Sequence, residues 1–535
     1  MLLIYPPAAR SAEPPLGIAR LAGFLRSRGC EARCLDLCHE GIEYLLGLDA
    51  AAEDTWTRGA LRRRESAADA LRDIASFQSR DRYDRAVGDL NRAMRAVSSN
   101  AGAEASLADY REAARSPLRK ADLIDSARDY RSNVFSPLFE ARVGPELAAS
   151  RDALVGISIC YLSQALCAFA LVGLIKAALP QARILLGGGL ITSWIAAGAI
   201  AAAETFGGLV DAMLSGPGEE GLGGFLAEAK DGKKSPGAFS MPDFEDFSDL
   251  RYFAPLKIVP YNFSFGCPWK RCSFCPERAE DMPYRGTPSP EAAAHIRSLA
   301  ERHSPGLFHF TDNEISPLYL RSLAENPPGS PWYGFARFSR RLLDPEFCAA
   351  LAASGCAMLQ LGLESGDQAV LDALGKGTRI DEIAKALGNL AAVSIGVYLY
   401  VLFGTPVEDR GAAMRTRDFL ALHSSEIDFL NVAVFNLPVS SREASMLETK
   451  AFYEGELSLY SEFRHPKGWG RAEVREFLAR DFEAFPEIKA IVRRAPPVFT
   501  SSHAPFFLPA LRKDPRNGPL PPLDRDQPSY SRKRR

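Results

Sequence analysis

Short apolar runs alternate with amphipathic segments at the start of the chain. Residues 2–5 are apolar and end at two prolines, residues 16–28 carry an apolar stripe at helical spacing, and residues 32–37 are a second apolar run. Strand, helix and strand at this spacing predict a right-handed βαβ unit. The same alternation returns with strands at 154–160, 183–186 and 210–214 and helices at 165–179 and 195–204. We therefore predict a doubly wound parallel sheet of about five strands, with ligands at the strands' carboxyl ends.

The stretch from about 47 to 150 interrupts this alternation. It is rich in Ala, Arg, Asp and Glu with almost no strand signal, which predicts a helical insertion. Residues 153–175 carry no charge and are long enough to span a bilayer. A buried strand followed by a buried helix explains them better, because polar residues interrupt the run. Residues 1–240 are thus expected to form one α/β, Rossmann-like domain.

A second α/β series runs from 241 to 440. Strands are predicted at 259–265, 307–310, 333–338, 358–363, 396–403 and 429–435, and helices at 290–302, 345–353, 367–374, 380–391 and 412–422. Six β/α units in series imply a TIM-like barrel or partial barrel, with functional groups at the carboxyl ends of its strands. Residues 441–511 would be a small C-terminal extension, and the Pro-rich basic residues 512–535 are expected to be a disordered tail.

The composition is typical of a soluble globular protein. Of 535 residues, 47% are hydrophobic and 24% charged, and the net charge is −2, so no nucleic-acid or membrane partner is expected. The N-terminus lacks the basic region of a secretory signal. Ten unevenly spaced cysteines are not a disulfide framework, which indicates a reducing compartment. These features predict a cytoplasmic protein.

Three cysteines, Cys267, Cys272 and Cys275, follow the first predicted barrel strand within nine residues. Iron–sulfur clusters are held by cysteine thiolates, usually four, so three would leave one iron open to a substrate or cofactor. A structural zinc site is an alternative, but zinc needs four ligands and the next histidine, His295, lies on a predicted helix. A second alternative is that the three cysteines are structural or unrelated and bind no metal. The other cysteines are expected to be small buried side chains: Cys30, Cys34, Cys38, Cys160, Cys167, Cys348 and Cys356.

This motif resembles that of the radical S-adenosylmethionine (SAM) superfamily, in which three cysteines follow the first barrel strand and an aromatic residue, here Phe274, precedes the last. The first gap is four residues here, one more than usual. The resemblance implies a 4Fe–4S cluster whose open iron binds the amino and carboxylate groups of SAM. It also implies a 5′-deoxyadenosyl radical on reduction, and a flavodoxin- or ferredoxin-type electron donor.

Other barrel segments resemble the same superfamily. The resemblance makes Asp312 a candidate near the SAM amino group, and Arg337 could bind a carboxylate through two hydrogen bonds. Glu364 and Ser365, in a Gly-x-Glu-Ser-Gly run, are candidate contacts to the nucleoside and methionine parts, and the turn 403–406 resembles a turn near adenine. Helix capping by Asp312 or Ser365, a surface position for Arg337 and a simple turn at 403–406 are the alternatives.

The order of the two domains resembles the cobalamin-dependent branch of the superfamily. Gly-rich strand ends let backbone approach a flat ring closely. The resemblance implies cobalamin contacts from Ser158, Gly187, Gly188, Gly189 and Gly218. The loop after the first strand has no histidine, so we predict no histidine ligand to cobalt and a surface position for His39. A domain that serves only as scaffold is the alternative.

The favoured function is cobalamin-dependent radical methylation of an unactivated carbon or a phosphorus centre in a small-molecule or peptide substrate. One alternative is an oxidative cyclase or rearrangement enzyme that uses cobalamin as redox partner. Another is a non-catalytic cobalamin or iron–sulfur sensor. No residue is assigned as catalytic acid or base, although Tyr398, Tyr400, Asn436 and His503 are candidates.

Overall fold

The amino-terminal domain contains a sheet of five parallel strands. The protein is represented by a computed structural model that describes residues 1–149, 153–201, 203–228, 239–495 and 504–506. In chain order, the strands of this domain are β1 (Leu2–Tyr5), β2 (Arg33–Asp36), β3 (Ala103–Ala105), β4 (Tyr110–Glu112), β5 (Leu154–Ser158), β6 (Arg183–Gly187) and β7 (Ala212–Met213). The sheet has the order β2-β1-β5-β6-β7, as expected for the predicted doubly wound fold.

Helices pack on both faces of this sheet because its strands are apolar on both sides. Leu2 and Ile4 of β1 belong to one buried cluster, and Leu3 between them belongs to the other. The helices are α1 (Leu16–Arg26), α2 (Leu37–Gly47), α3 (Thr55–Arg72), α4 (Arg80–Ser98), α5 (Lys120–Arg128), α6 (Ser136–Ala148), α7 (Ala165–Ala178), α8 (Gly189–Ala196) and α9 (Gly218–Glu228).

The interruption between about 47 and 150 is mostly helical, as predicted, and holds α3 to α6. It also contains the antiparallel hairpin of β3 and β4, which the sequence analysis missed because each strand is only three residues long. The uncharged stretch is β5 and the buried helix α7, in agreement with the prediction. Within the described residues, every helix is too short or too polar to cross a membrane.

The second domain is built on six parallel strands in the order β15-β14-β13-β12-β11-β8, which confirms the predicted partial barrel. Its strands are β8 (Ile258–Tyr261), β9 (Ser264–Phe265), β10 (Arg285–Gly286), β11 (Leu307–Phe310), β12 (Trp332–Ala336), β13 (Cys356–Glu364), β14 (Gly396–Phe403) and β15 (Phe429–Val434). Its helices are α10 (Pro276–Ala279), α11 (Ser289–His303), α12 (Pro317–Glu325), α13 (Pro345–Ala353), α14 (Gln368–Ala373), α15 (Ile380–Ala392) and α16 (Arg410–Leu422). The helix α12 was not predicted.

C-terminal segments cover the barrel. They comprise the small sheet of β16 (Leu437–Pro438), β17 (Thr449–Ala451) and β18 (Tyr460–Phe463), and the helices α17 (Arg471–Phe477) and α18 (Pro486–Arg494). Ala504 is buried beside Tyr333, Tyr398 and Phe429, near the amino ends of β12, β14 and β15. Residues 504–506 thus close the end of the barrel opposite its functional edge. His503 and the predicted tail lie outside the described residues.

The β1–α1 loop, residues 6–15, extends from the first domain into the barrel. Ala12 is buried with Ile258 and Leu307 at the start of two barrel strands. Glu13 Oε1 lies 2.7 Å from His309 Nδ1 on β11. The two domains therefore share a core and are not merely linked by a connecting segment.

His39 is buried, which corrects the predicted surface position. Its side chain is 3% exposed, its Nδ1 lies 2.8 Å from the Ser11 hydroxyl, and its ring centroid lies 4.8 Å from that of Tyr252. Burial lowers the pKa of His39 to about 4. At neutral pH it is an uncharged part of the contact between α2 and the β1–α1 loop.

Candidate functional site

A cavity of about 730 Å³ lies between the carboxyl edge of the first sheet and the interior of the barrel. All five predicted residues of the first domain line one wall: Ser158, Gly187, Gly188, Gly189 and Gly218. The barrel contributes Gly266, directly before the first motif cysteine, together with His309, Phe335 and Gln360. One space therefore joins the Gly-rich sheet edge, the start of the cysteine loop and the barrel interior.

Backbone rather than side chains forms the wall at the end of β6. Gly188 has φ +99°, and a Cβ atom there would lie 2.5 Å from the carbonyl oxygen of Ile159. Only glycine fits this conformation and this contact. The chain passes directly from β6 into α8, so Gly189 remains exposed to the cavity. A flat ligand can approach this edge closely, with the Ser158 hydroxyl beside it.

Two of the remaining cysteines depart from the expectation of buried side chains. Cys160 is only half-buried and lines the cavity just beyond β5, with its Sγ 3.7 Å from the Ser158 hydroxyl. Cys30 is also partly exposed, because it follows the turn that ends α1. The others are buried as predicted: Cys34, Cys38, Cys167, Cys348 and Cys356.

The cysteine loop, residues 267–275, follows β9 and carries three free, partly exposed thiols. Lys270 takes the left-handed conformation, with φ +47°, and turns the chain inside the longer first gap. The N–H groups of Trp269 and Lys270 lower the pKa of Cys267, although burial raises it more. Burial likewise raises the pKa of Cys275 to about 11, opposed by the N–H groups of residues 277 and 278. The loop therefore directs backbone donors at two sulfur atoms.

This donor set suits an iron–sulfur cluster because all three thiols lie on one loop and none is used in a disulfide. Among the described residues, no three His, Cys, Asp or Glu side chains are close enough to hold a metal ion as they stand. The three thiols would have to turn toward one another and lose their protons to bind a cluster. The side-chain chemistry fits, and the rearrangement needed is local to the loop.

Arg337 lies beside the cysteine loop and is only 12% exposed, so the alternative of a surface arginine is wrong. Its guanidinium carbon is 4.1 Å from the ring centroid of Trp269. Its Nε is 3.9 Å from Glu314 Oε2, which in turn accepts a hydrogen bond of 3.5 Å from the Cys267 thiol. Burial raises the pKa of Glu314, and the guanidinium opposes that shift.

Lys376 and Glu364 form a second ion pair near the loop, with Nζ 2.8 Å from Oε1. Glu364 ends β13 with φ +65°, at a shift in register against β14. The ammonium lies 5.8 Å from the ring centroid of Phe274. Lys376 lowers the pKa of Cys272, as does Arg337, although burial raises that pKa more. The structure thus brings Phe274, Arg337 and Glu364 together around the cysteines.

Residues 261–420 match the family described as the radical SAM superfamily. The barrel is a radical SAM domain. One similar protein is the bacteriochlorophyllide d C-12(1)-methyltransferase of Chlorobaculum tepidum, which is 28% identical over 175 residues. The matched region covers 31% of this chain and 37% of that relative, so the chain matches little more than a third of the relative's length.

Two solved structures are similar in fold over most of this chain. One is the radical SAM methyltransferase TsrM from Kitasatospora setae with cobalamin and a [4Fe–4S] cluster bound, at TM-score 0.50 and 16% identity, covering 82% of this chain and 75% of that one. The other is the cobalamin-dependent SAM radical enzyme OxsB with aqua-cobalamin, at TM-score 0.50 and 13% identity, covering 66% of this chain and 63% of that one. At these identities the likeness shows a common fold.

Two predicted cofactor contacts of the radical SAM domain, Asp312 and Ser365, are buried and form hydrogen bonds within the protein. Asp312 is 1% exposed and accepts hydrogen bonds from the N–H groups of Phe263 and Ser264 at 2.9 and 2.8 Å. It also accepts one from the Ser264 hydroxyl at 2.6 Å. Ser365 is fully buried. Its hydroxyl forms a hydrogen bond with the Thr416 hydroxyl and accepts another from the N–H of Asp367. The contact of Ser365 with Asp367 is local, whereas Asp312 joins the end of β11 to the β8–β9 segment, which neither helix capping nor cofactor contact had described.

Replacing Asp312 by alanine is expected to lower the free energy of unfolding by about 2–4 kcal/mol, because three donors lose their acceptor. Urea unfolding followed by circular dichroism measures this effect. Asp312→Asn, which keeps one amide oxygen, should lose less stability. Both variants should bind SAM normally once they are folded and loaded. Weaker SAM binding with unchanged stability would restore Asp312 as a cofactor contact.

The predicted adenine-side turn of the radical SAM domain, residues 403–406, is fixed by a buried carboxyl. Glu408 Oε2 accepts hydrogen bonds from the N–H of Gly404 and, at 2.9 Å, from the Trp469 indole. Its other oxygen has no partner among the described residues. Burial raises the pKa of Glu408 to about 7. The turn therefore depends on a group that titrates near neutrality.

Because the pKa of Glu408 is higher in the folded state, its stabilising contribution is complete below about pH 4.5 and is lost as pH rises through about 7. The loss is expected to be on the order of 2–3 kcal/mol. Glu408→Gln should therefore show a smaller fall in unfolding free energy between pH 5 and pH 8 than the unsubstituted protein. A residual slope is expected, since burial also raises the pKa of Asp36 and Asp312 to about 7. Equal slopes in the two proteins would contradict this assignment.

Proposed function

We propose that the protein is a cobalamin-dependent radical SAM methyltransferase. The observation that carries the proposal is the single cavity bounded by the Gly-rich sheet edge, by the start of the cysteine loop and by the barrel interior. Gly187 and Gly266 line it from the two domains. Ligands held at these two places would face one substrate. Methyltransferase activity is suggested by the functions of the Chlorobaculum tepidum relative and of TsrM.

The residues that would hold the 4Fe–4S cluster are Cys267, Cys272 and Cys275. Phe274, Arg337 and Glu364 surround them and would contact SAM. When bound, the cluster and SAM supply a radical that removes a hydrogen atom from the substrate, and cobalamin supplies the methyl group. The cations of Arg337 and Lys376 near Cys272 favour its thiolate form, which is the form that binds iron.

The residues that would hold cobalamin are Ser158, Gly187, Gly188, Gly189 and Gly218. Their backbone lets a flat macrocycle lie against the sheet edge, and the Ser158 hydroxyl can donate a hydrogen bond to it. The buried pair of Arg20 and Glu219 stands at the same wall. These side chains orient the ligand and keep bulk water out of the space where a radical would form.

The proposed substrate is a small molecule or peptide whose unactivated carbon or phosphorus centre is methylated in the barrel half of the cavity. Phe335 and Gln360 line that half, beyond the start of the cysteine loop. The proposed electron donor is of flavodoxin or ferredoxin type.

Anaerobic purification followed by reconstitution with iron, sulfide and cobalamin tests the proposal. With reductant and SAM, the protein is expected to retain iron and corrinoid and to form 5′-deoxyadenosine. Given a substrate, SAM labelled in its methyl group should place the label in the product. A product without label, formed together with 5′-deoxyadenosine, would favour a cyclase or rearrangement enzyme. Bound cluster without any 5′-deoxyadenosine would favour a sensor.

A further inference from the structure

Two arginines lie together beside the cysteine loop, outside the cavity. Gly266 before the loop and Glu277 and Glu280 after it line the cavity, whereas Arg271 and Arg278 do not. An Nη atom of Arg278 donates a hydrogen bond to the Arg271 carbonyl at 3.1 Å. The segment that holds the three cysteines therefore has one side turned to the cavity and another that carries two arginines in contact.

These two arginines are accessible and have no carboxylate partner. Arg271 is exposed and Arg278 partly exposed, and neither forms an ion pair with a carboxylate of the described residues. Lys270 and Asp281 of the same segment form an ion pair at 2.6 Å. The patch of Arg271, Arg278 and the exposed Pro276 is the outer face of the loop, and it carries positive charge.

The outer face lies close to two of the proposed cluster ligands. Arg271 directly precedes Cys272, and Arg278 follows Cys275 by three residues in α10. Both thiols are only partly buried. Because the rate of electron transfer falls steeply with distance, a protein seated on the outer face would have a short path to a cluster held by these thiols.

The connection after α14 holds the outer face in place. The Trp269 indole donates a hydrogen bond to the Gly375 carbonyl at 2.9 Å, and the Arg271 guanidinium carbon lies 4.9 Å from the Trp269 ring centroid. Further along this connection, Arg379 is paired with Asp381 at 3.0 Å. The outer face is thus fixed before any partner binds, which lowers the entropic cost of association.

We propose that the outer face is the docking site of the electron donor, and that this donor is a small acidic protein with a one-electron centre. This inference rests on the proposed function and adds the place and the charge of its partner. Each encounter transfers one electron from the donor, which is oxidised, to the 4Fe–4S cluster, which is reduced. Electron-transfer partners bind weakly through small surfaces, and opposite charges raise their rate of association.

Binding of a flavodoxin, an acidic electron carrier, tests this inference on the full-length protein reconstituted with cluster and cobalamin. Isothermal titration calorimetry gives the Kd, and the loss of cluster absorbance on mixing with reduced flavodoxin gives the rate of reduction. The double variant Arg271→Glu with Arg278→Glu should bind at least about tenfold more weakly at low salt and be reduced more slowly. The difference should shrink at high salt, since exposed charges are then screened.

Two further double variants are the controls. Arg271→Lys with Arg278→Lys keeps both charges and should stay within about twofold of the unsubstituted Kd. Arg58→Glu with Arg62→Glu changes the same number of charges on exposed positions of α3, in the helical insertion, and should bind flavodoxin normally. Iron content and reduction by excess dithionite should be the same in all variants. If the Glu pair fails to retain iron, Arg271→Gln with Arg278→Gln replaces it, with an expected loss of at least about threefold.

No flavodoxin binding by the unsubstituted protein, an unchanged Kd when the two arginines lose their charge, or an equal loss in the α3 pair would overturn the inference. Formation of 5′-deoxyadenosine with dithionite reports separately on the proposed function. Charge-dependent reduction by flavodoxin without 5′-deoxyadenosine would reject the function alone. Formation of 5′-deoxyadenosine by a protein whose flavodoxin binding does not depend on these arginines would reject the inference alone.

Discussion

Replacing Cys272 by alanine is expected to lower 5′-deoxyadenosine formation by more than about 100-fold and to remove most of the bound iron. Loss of residues that merely support metal ligands already costs about 10–100-fold, so loss of a ligand should cost more. Cys272 lies between the other two thiols of the loop and within the field of Lys376 and Arg337. Its thiolate is therefore the one most directly stabilised by neighbouring cations.

Cys348→Ala is the matched control, because this thiol lies on the buried face of α13 and outside the cavity. It should lose some stability and keep its iron. Iron and sulfide analysis of both variants, purified without oxygen, shows whether Cys272 is needed to hold the cluster. A Cys272→Ala protein that retains iron, or unsubstituted protein that contains zinc, would reject the proposed cluster.

Replacing Arg20 by methionine is expected to lower the free energy of unfolding by about 3–5 kcal/mol. Arg20 is 3% exposed and donates to Glu219 at 2.9 Å and to Asn262 of the barrel at 2.5 Å. Its guanidinium carbon also lies 4.8 Å from the ring centroids of Phe239 and Phe265. Without it, the Glu219 carboxylate stays buried with no cation, and one hydrogen bond between the domains is lost.

The double variant Arg20→Met with Glu219→Met separates these two effects. If the unpaired carboxylate causes most of the loss, the double variant should be more stable than Arg20→Met alone. Urea unfolding of the two single variants and the double variant gives the coupling energy. Strictly additive effects would show that the ion pair contributes little and that Arg20 stabilises through packing.

The local pattern of apolar and polar residues was sufficient to predict most of the helices and strands. The strands at 307–310 and 396–403 and the helix at 345–353 were predicted to the residue, because buried parallel strands are continuous apolar runs and Pro345 begins its helix. The helix α12 was missed because only three of its side chains are buried, which leaves a weak apolar stripe. The strand predicted at 210–214 is too long, because β7 is Ala212–Met213 and the buried Val210 lies before it.

The candidate site was predictable where its chemistry is contiguous in sequence, as in the cysteine loop and the Gly-rich strand ends. Contacts between distant segments were not. Glu13 and His309 are 296 positions apart, and Cys267 and Glu314 are 47 apart. The hydrogen bonds that Asp312 accepts from Phe263 and Ser264 were also not foreseen, because a carboxylate at a strand end has the same sequence pattern whether it faces a ligand or backbone.

Because the β1–α1 loop enters the barrel, the first domain cannot be exchanged for that of another protein without changing the barrel. A chimera that joined this barrel to the first domain of another protein would replace Glu13 and Ala12 along with the sheet, and so change the barrel's own interior. Recombination at the domain boundary would then alter ligand selectivity and barrel packing in one step. Residues 6–15 would have to be inherited with the barrel they enter, although they belong to the opposite end of the chain.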